Sequence, residues 1–550
     1  MTTVPRRWRP VAIAALAFIL AAGSAIRLVH LERGEFLDDE LNHYYAGRSV
    51  AEGHGPRLPS GALYERGADF TRMAAVVLGH TSPAERAVRL PSAVLGSLGL
   101  VIFAGVLWGF GGPWVAVWGT LFLAIYPEAI RLSRFGRFYT LQLAFGLGAL
   151  YTGWRALRNA GARETPSRND VRSGWLWALG TIALLLYAAR VQVVSLSVAS
   201  GWGLAAVVAA AADERARGLT AWRRSVPIQL ATLGLAAVAL LVLLFPEQVV
   251  ALRWLARTTP RWAQTGESSL PLAYYYVLSD AAFGLLPLAA AAFVVVALRN
   301  LRLALYLFLW LAVPVALHSL VFAWKGERFI LLAMPALFAT LAIAAAAGAG
   351  RRPGAVQRAL APRVIDRGRR EVAAAAVVAV VCLAGIVTLP PVSAARKALR
   401  AQPDAWRAAA VILRAPALAS APIGGSKQLP ARYYWERLDF TVTQGGLERW
   451  TPTFDARHQN GEAVAGGYAA APQGTPDYYA GVPVLTTPEA IRERFAGSGA
   501  VLIGIDGPEL NLPNIIDPEL RRVLEANAEE LCRGQCGTLR LFHWRFAPPP

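Results

Sequence analysis

The chain has 550 residues, of which 55% are hydrophobic and 17% charged, with 55 Lys and Arg against 36 Asp and Glu. Charged residues make up about a quarter of an ordinary soluble protein, so this composition and a mean hydropathy of +0.39 exclude a disordered, collagen-like or ordinary cytosolic chain. Three cysteines exclude a disulfide scaffold or a Cys-rich metal module.

Taken in chain order, apolar runs of membrane-crossing length recur from Val11 to Pro390. They predict eleven helical spans: 11–29, 90–110, 112–130, 138–157, 174–189, 191–211, 227–245, 273–297, 303–322, 329–350 and 372–390. The first follows Arg6, Arg7 and Arg9 as a signal peptide would. It lacks a clear small-residue cleavage site and is read as a helix. With the N terminus inside, the inward segments carry 21 basic residues against six acids. That asymmetry is a topology signal, because positive loops stay on the cytoplasmic side. The outward part of residues 1–390 is nearly balanced, at 17 to 14, and residues 391–550 likewise, at 17 to 16. The excess charge therefore predicts orientation and excludes a nucleic-acid-binding face.

An odd number of spans places everything after Pro390 outside. There the long apolar runs stop. Trp406–Arg414 is amphipathic, Pro488–Phe495 reads as a short capped helix, Val501–Ile505 as a buried strand and Leu539–Trp544 as an edge strand. The expectation is a polytopic α-helical membrane domain over 1–390, with an outer loop at 30–89, and a soluble α/β extracytoplasmic domain over 391–550. Cys532 and Cys536, four residues apart on the oxidising side, are placed for a local disulfide. Cys382, alone in a span, is read as packing.

The polar residues expected at the outer boundary carry the chemistry, since ionisable groups near a bilayer face a cavity or a partner. The long first loop opens with Asp38, Asp39 and Glu40; as a solvated helix N-terminus, these acids would simply complement the dipole. Arg131, Arg134 and Arg137, followed by Tyr139, occupy a short outward turn against the positive-inside tendency. Arg190 stands at the next outward corner, and Lys325, Glu327 and Arg328 form a third cluster. Each cluster alone is explained by snorkelling to lipid headgroups. Three basic clusters beside an acidic loop predict an anion site next to carboxylates. Such a site suits group transfer from a phosphate carrier: fixed arginines meet the charge developing on a leaving phosphate, and a carboxylate takes the acceptor proton.

These pieces, in this order, resemble the GT-C superfamily of membrane glycosyltransferases, in the branch of protein O-mannosyltransferases and lipid A aminoarabinose transferases. The resemblance rests on Asp39-Glu40 with Tyr44 and Tyr45, Ala87–Ser92, Ser133–Tyr139 and Glu327–Pro335, and covers about 30–340. It implies a GT-C fold and an inverting transferase. The enzyme would move a sugar from a polyprenyl-phosphate donor to an extracytoplasmic acceptor (glycolipid, envelope glycan or protein). By position, Asp39 is the implied general base and Glu40 orients base or acceptor, while the extra acid Asp38 leaves the choice of aspartate open. Arg134, Arg137 and Tyr139 hold the donor phosphate, with Lys325 and Arg328 closing the site. Tyr44, Tyr64, Arg66, Arg190 and Glu327 line the sugar or acceptor pocket.

No cofactor and no catalytic metal are expected: His30, His43, His54 and His80 share the acidic loop without HxxxH or HExxH spacing. The absence of a Walker or GxGxxG loop disfavours a nucleotide-sugar donor. The expected setting is a bacterial plasma membrane, with active site and tail outside, membrane lipid and the two substrates as partners, and a monomer. A multispan transporter or lipid flippase is the competing reading; transfer of a whole oligosaccharide or a phosphate-containing headgroup, and a structural subunit, are lesser ones.

Overall fold

The structure, a computed structural model, describes residues 8–160, 168–217, 278, 286–321, 327–348, 405–443, 473–474, 476–512 and 515–546. They divide into two units. The described residues of Met1–Val29, Ser92–Thr259 and Glu267–Leu399 form the first; those of His30–Pro91 and Arg400–Pro550 form the second.

The first unit is helical. Among the described residues, Arg9–Leu28, Ala84–Gly111, Arg172–Val191 and Leu301–Leu320 are long and apolar enough to cross a membrane, and the bent pair Pro113–Ile125 and Pro127–Ser133 makes a fifth if counted as one span. Shorter apolar helices cover Val193–Ala209, Pro287–Arg299 and Met334–Ala347, and Tyr139–Ala160 is helical where 138–157 was expected. The expected spans 227–245 and 372–390, residues 273–277 and 279–285 of the expected span 273–297, and Cys382 lie outside the described residues.

Expected span 112–130 is not one rod: its two helices meet at 66°. Pro127 is the cause. It cannot donate to the preceding turn, and it forces Tyr126 into an extended conformation, φ −62° and ψ 117°. The break strands the last carbonyls of the first half, which would be expensive in a membrane. Buried Arg27 fills the gap. Its Nη2 donates to Leu123 O at 3.1 Å, Nη1 to Ala124 O at 3.2 Å and Gly23 O at 2.9 Å, and Nε to Ser133 Oγ at 3.2 Å. Gly23 permits this approach, since a Cβ there would stand 2.8 Å from Leu100 Cδ1 and 3.2 Å from Ala124 Cβ. Elsewhere interhelical hydrogen bonds hold the bundle: Tyr306 Oη donates to Leu150 O at 2.6 Å, Trp310 Nε1 to Leu332 O at 3.0 Å, and Gln142 Nε2 to Ser195 Oγ at 2.8 Å.

The second unit joins the first loop to the tail, a boundary the sequence placed differently. Residues 30–89 were grouped with the membrane helices, whereas His30–Pro91 clusters with Arg400–Pro550. The reason is packing and hydrogen bonding. Phe36, Leu41 and Val88 share a buried cluster with Leu429. The Phe36 amide donates to the Tyr434 hydroxyl at 2.6 Å, and the Arg407 amide to Glu35 Oε1 at 2.6 Å.

The tail is built on a five-stranded sheet in the order β2-β1-β3-β5-β4, with β1 Ile423–Gly425, β2 Phe440–Thr441, β3 Ala500–Asp506, β4 Ala528–Glu530 and β5 Leu539–Arg545. β1 runs parallel to β2 and β3, while β5 is antiparallel to β3 and β4. The run Val501–Ile505 is buried throughout, as a strand covered on both faces must be. Leu539–Trp544, expected at an edge, is instead an interior strand. Both of its faces are covered, Leu539 and Leu541 in one buried cluster and Phe542 and Trp544 in another, and the short β4 supplies the outer pairing that the sequence pattern alone does not reveal. Thr487 caps helix Pro488–Phe495 by accepting from Ala490 N at 3.3 Å. In helix Ala405–Leu413, Trp406, Ala409 and Leu413 are buried along one stripe, and Trp406 packs on Trp435 at 5.0 Å. Trp435 also lies over Gly504, where a Cβ would meet its Cη2 at 2.3 Å. Cys532 and Cys536 are joined as a disulfide.

Candidate functional site

In the second unit, Asp38, Asp39 and Glu40 open helix Asp38–Ala51. Glu40 is 1% exposed and its carboxylate is engaged. Oε2 accepts the Leu37 amide at 3.0 Å, closing a capping box, and both oxygens meet the guanidinium of Arg89. Arg89 Nε lies 2.7 Å from Oε1 and Nη2 2.8 Å from Oε2. Its remaining donors take four loop carbonyls: Leu31, Arg33 and Gly34 at 3.0–3.2 Å from Nη1, and Glu35 at 2.7 Å from Nη2. One buried arginine thus fixes the turn before the helix and the third acid of the motif.

Asp38 and Asp39, both half-buried, occupy the first turn that this anchor sets. They lie on different stripes. Asp38 is in register with Tyr45 and Glu52, whereas Asp39 is in register with His43, Ala46 and Val50. Asp38 also acts electrostatically on a cluster from the tail. Lys427 Nζ sits 2.5 Å from Asp506 Oδ2, and Ser426 Oγ donates to Glu509 Oε2 at 2.7 Å. Burial lowers the Lys427 pKa, but Asp38, Glu509 and Asp506 together raise it well above its ordinary value. Burial pushes the Glu509 carboxyl up to about 7, with Asp38 and Asp506 adding to the rise and Lys427 opposing it. Sequence reading leaves these tail residues out, because no spacing rule links position 38 to positions 427 and 509.

Tyr44 shares a wide cleft of about 990 Å³ with Tyr45, Tyr433 and Tyr434. Tyr64 is a core residue, 8% exposed, with its ring 5.3 Å from the buried His43, and Arg66 is exposed. His43 Nδ1 is 2.9 Å from Thr71 Oγ1. No group of three or more His, Cys, Asp or Glu among the described residues is arranged to hold a metal ion.

In the first unit, the expected phosphate ligands divide. Arg137, Tyr139 and Arg328 come together. Tyr139 is fully buried, with the Arg137 guanidinium 5.6 Å and that of Arg328 6.0 Å from its ring centre. The Tyr139 hydroxyl is buried without a hydrogen-bond partner among the described residues. Arg137 is held through its backbone: Ser92 Oγ donates to its carbonyl at 2.8 Å and accepts from its amide at 3.2 Å. Arg134 has a structural task, its Nη1 donating to Ile26 O at 3.0 Å and Val29 O at 2.6 Å and so capping helix Arg9–Leu28. Arg131 pairs bidentately with Glu128, each contact 2.6 Å. Arg190 is exposed at the end of helix Arg168–Val191. Lys325 and the Glu327 side chain lie outside the described residues. Near Arg328, the His318 ring stacks on Phe329 at 6.0 Å, with Nε2 3.4 Å from Ser197 Oγ.

No family model and no curated protein matches the chain. Among solved structures it is similar to ArnT from Cupriavidus metallidurans bound to undecaprenyl phosphate, with a TM-score of 0.54 and 13% identity over 98% of each chain. The apo state of that protein gives 0.53 and 14%, over 97% of this chain and 98% of that one. The archaeal oligosaccharyltransferase AglB from Archaeoglobus fulgidus, in complex with an inhibitory peptide and a dolichol-phosphate, gives 0.50 and 11%, over 90% of this chain and 69% of that one. At such identity the likeness is one of fold alone.

Proposed function

We propose that the chain is an integral membrane glycosyltransferase that moves a sugar from a polyprenyl-phosphate donor to an extracytoplasmic acceptor. Asp39 takes the acceptor hydroxyl proton. The new C–O bond forms at the anomeric carbon as its bond to the phosphate oxygen breaks, and the leaving polyprenyl phosphate keeps the electron pair. Attack opposite the leaving group inverts that carbon. Arg137 and Arg328, with the Tyr139 hydroxyl, neutralise the developing phosphate charge. Arg134 adds charge from its capping position.

The observation that supports this reading is the anchored start of helix Asp38–Ala51, which carries the acidic motif. Glu40 is committed to Arg89 and the helix start, and Asp38 is coupled to Lys427 and Glu509. Asp39 stands in the first turn of that helix, whose start Glu40 and Arg89 fix. The fold supports the reading as well, since its similarity extends over nearly all of a protein solved with undecaprenyl phosphate.

The setting is a bacterial plasma membrane with the acidic helix and the tail outside. The inward bias of 21 basic residues against six acids and the Cys532–Cys536 bond support that orientation. A monomer suffices. Among the described residues, the broken helix at Pro127 is the feature that suits a transporter. However, the carbonyls of Leu123 and Ala124, which would serve a coupling ion there, are already bonded to Arg27.

The test is sugar transfer by purified protein from a panel of radiolabelled polyprenyl-phosphate sugars to a crude envelope acceptor, comparing wild type with Asp39→Asn. Transfer from one donor that the variant loses supports the reading. No transfer, together with no affinity for polyprenyl phosphate, hands the chain to the transporter reading.

A further inference from the structure

The roughly 990 Å³ cleft of the second unit has a wall chemistry that the transfer mechanism does not use. Four tyrosines, Tyr45, Tyr44, Tyr433 and Tyr434, run through it as a ladder of edge-to-face rings, with successive centres 5.1, 5.0 and 4.8 Å apart. Burial raises the pKa of Tyr45, Tyr433 and Tyr434 above the ordinary phenol value, so these hydroxyls remain neutral hydrogen-bonding groups at any physiological pH. Five arginines, Arg48, Arg57, Arg407, Arg414 and Arg432, line the same cleft against Glu52, Glu85 and Glu436, leaving a net positive wall. The pairings are uneven. Arg48 meets Glu52 at 2.9 Å and Arg407 meets Glu85, but Arg414 is 4.0 Å from Glu436 with both side chains largely exposed. Arg57 donates to the Gly61 carbonyl, which cancels no charge, and Arg432 donates to the Ala480 carbonyl and acts electrostatically on the buried Asp477.

Rigid amphipathic rings suit the mixed apolar and hydroxylated faces of a sugar, and guanidinium groups suit phosphate or carboxylate. The volume is at the upper end of the range for small-molecule sites, about 300–1,000 Å³. The cleft also shares its helix with the acidic motif. Tyr44 lies about 7.5 Å along the axis from Asp39, at 1.5 Å per residue, and Asp38 is on the stripe of Tyr45 and Glu52.

We propose that this cleft binds an anionic saccharide, one carrying phosphate or carboxylate groups, as the acceptor of the reaction proposed above, and to that extent it rests on that reading. A lipid-anchored anionic headgroup and a free acidic glycan present the same chemistry.

The test uses the full chain in detergent, with tetragalacturonic acid as probe and maltotetraose as its neutral counterpart, titrated calorimetrically at low and high salt. The acidic probe is expected to bind at least about tenfold tighter than the neutral one and to weaken as salt rises. Arg48→Gln with Arg414→Gln, both at exposed positions, is expected to weaken it by a further tenfold or so. Equal affinity for the two probes, no binding of the acidic one, or a double variant that binds like wild type overturns the proposal. Displacement of the acidic probe by phosphatidylglycerol vesicles, but not phosphatidylcholine vesicles, supports a lipid headgroup as the source; no displacement supports a free glycan. Undecaprenyl phosphate is titrated into the same protein. Acidic-probe binding without it keeps the cleft and removes the transferase, and the reverse outcome removes the cleft alone.

Discussion

Arg89 and Glu40 lie edge to edge, Nε to Oε1 at 2.7 Å and Nη2 to Oε2 at 2.8 Å, with the rest of the guanidinium spent on four backbone carbonyls. Removing one partner of such a buried pair strands the other charge, at about 3–5 kcal/mol. Arg89→Leu should therefore destabilise the protein severely, and Glu40→Leu added to it should recover part of the loss. Thermal unfolding of the three variants checks this; a harmless single variant would refute the anchoring role.

Asp39→Asn keeps the helix start, which Glu40 and Leu37 maintain. Transfer should fall by about 10²–10⁴, the usual share of a general base, while polyprenyl-phosphate affinity stays near wild type. Full activity would move the base to Asp38.

Around the buried Tyr139 ring, Arg137→Ala should weaken polyprenyl-phosphate binding by about 1.5–3 kcal/mol, the range for hydrogen bonds to charged groups. Tyr139→Phe removes only the hydroxyl and should have the smaller effect. Titrating undecaprenyl phosphate into each variant separates them. Unchanged binding in Arg137→Ala removes this cluster from the donor site.

Glu509 makes stability depend on pH. Its carboxyl is raised from 4.5 to about 7, so the unfolded chain releases that proton first. The contribution to stability is full below pH 4.5, declines as pH rises to about 7, and is flat above. Glu509→Gln should raise the Tm at pH 8 and leave it little changed near pH 4. A gain of several degrees is expected, since about 1 kcal/mol moves Tm by about 2–4 °C in a domain of this size. An equal shift at both pH values would contradict the assignment.

EDTA should leave transfer unaffected. Three of the four loop histidines are otherwise engaged: His43 with Thr71 at 2.9 Å, His30 with Glu32 at 3.4 Å, and His54 near Glu52 at 3.9 Å. Loss of activity in EDTA, restored by magnesium or manganese, would overturn this.

Apolar length made the membrane helices legible, and a capping threonine with an apolar stripe made Pro488–Phe495 legible, because both signals are local. Burial on both faces likewise marked Val501–Ile505. The interior place of β5 was not legible, since a strand's neighbours are settled by other segments. The acidic motif was visible as a motif, but its division of labour was not. Glu40 depends on a partner 49 residues away, and the Asp38 environment on Lys427 and Glu509 far along the chain. Arg134 stands in the motif that the resemblance assigns to the donor phosphate, and its engagement with Ile26 and Val29 is a fact of tertiary structure that the motif does not reveal.

The plug formed by Arg27 has a consequence for biogenesis. The first helix is synthesised almost a hundred residues before the proline break it serves. When Leu123 and Ala124 enter the lipid, their acceptors meet a donor already embedded there, so a bent segment can be inserted without water or lipid headgroups following it in. Arg27→Leu should therefore show first as poor membrane integration of the nascent chain.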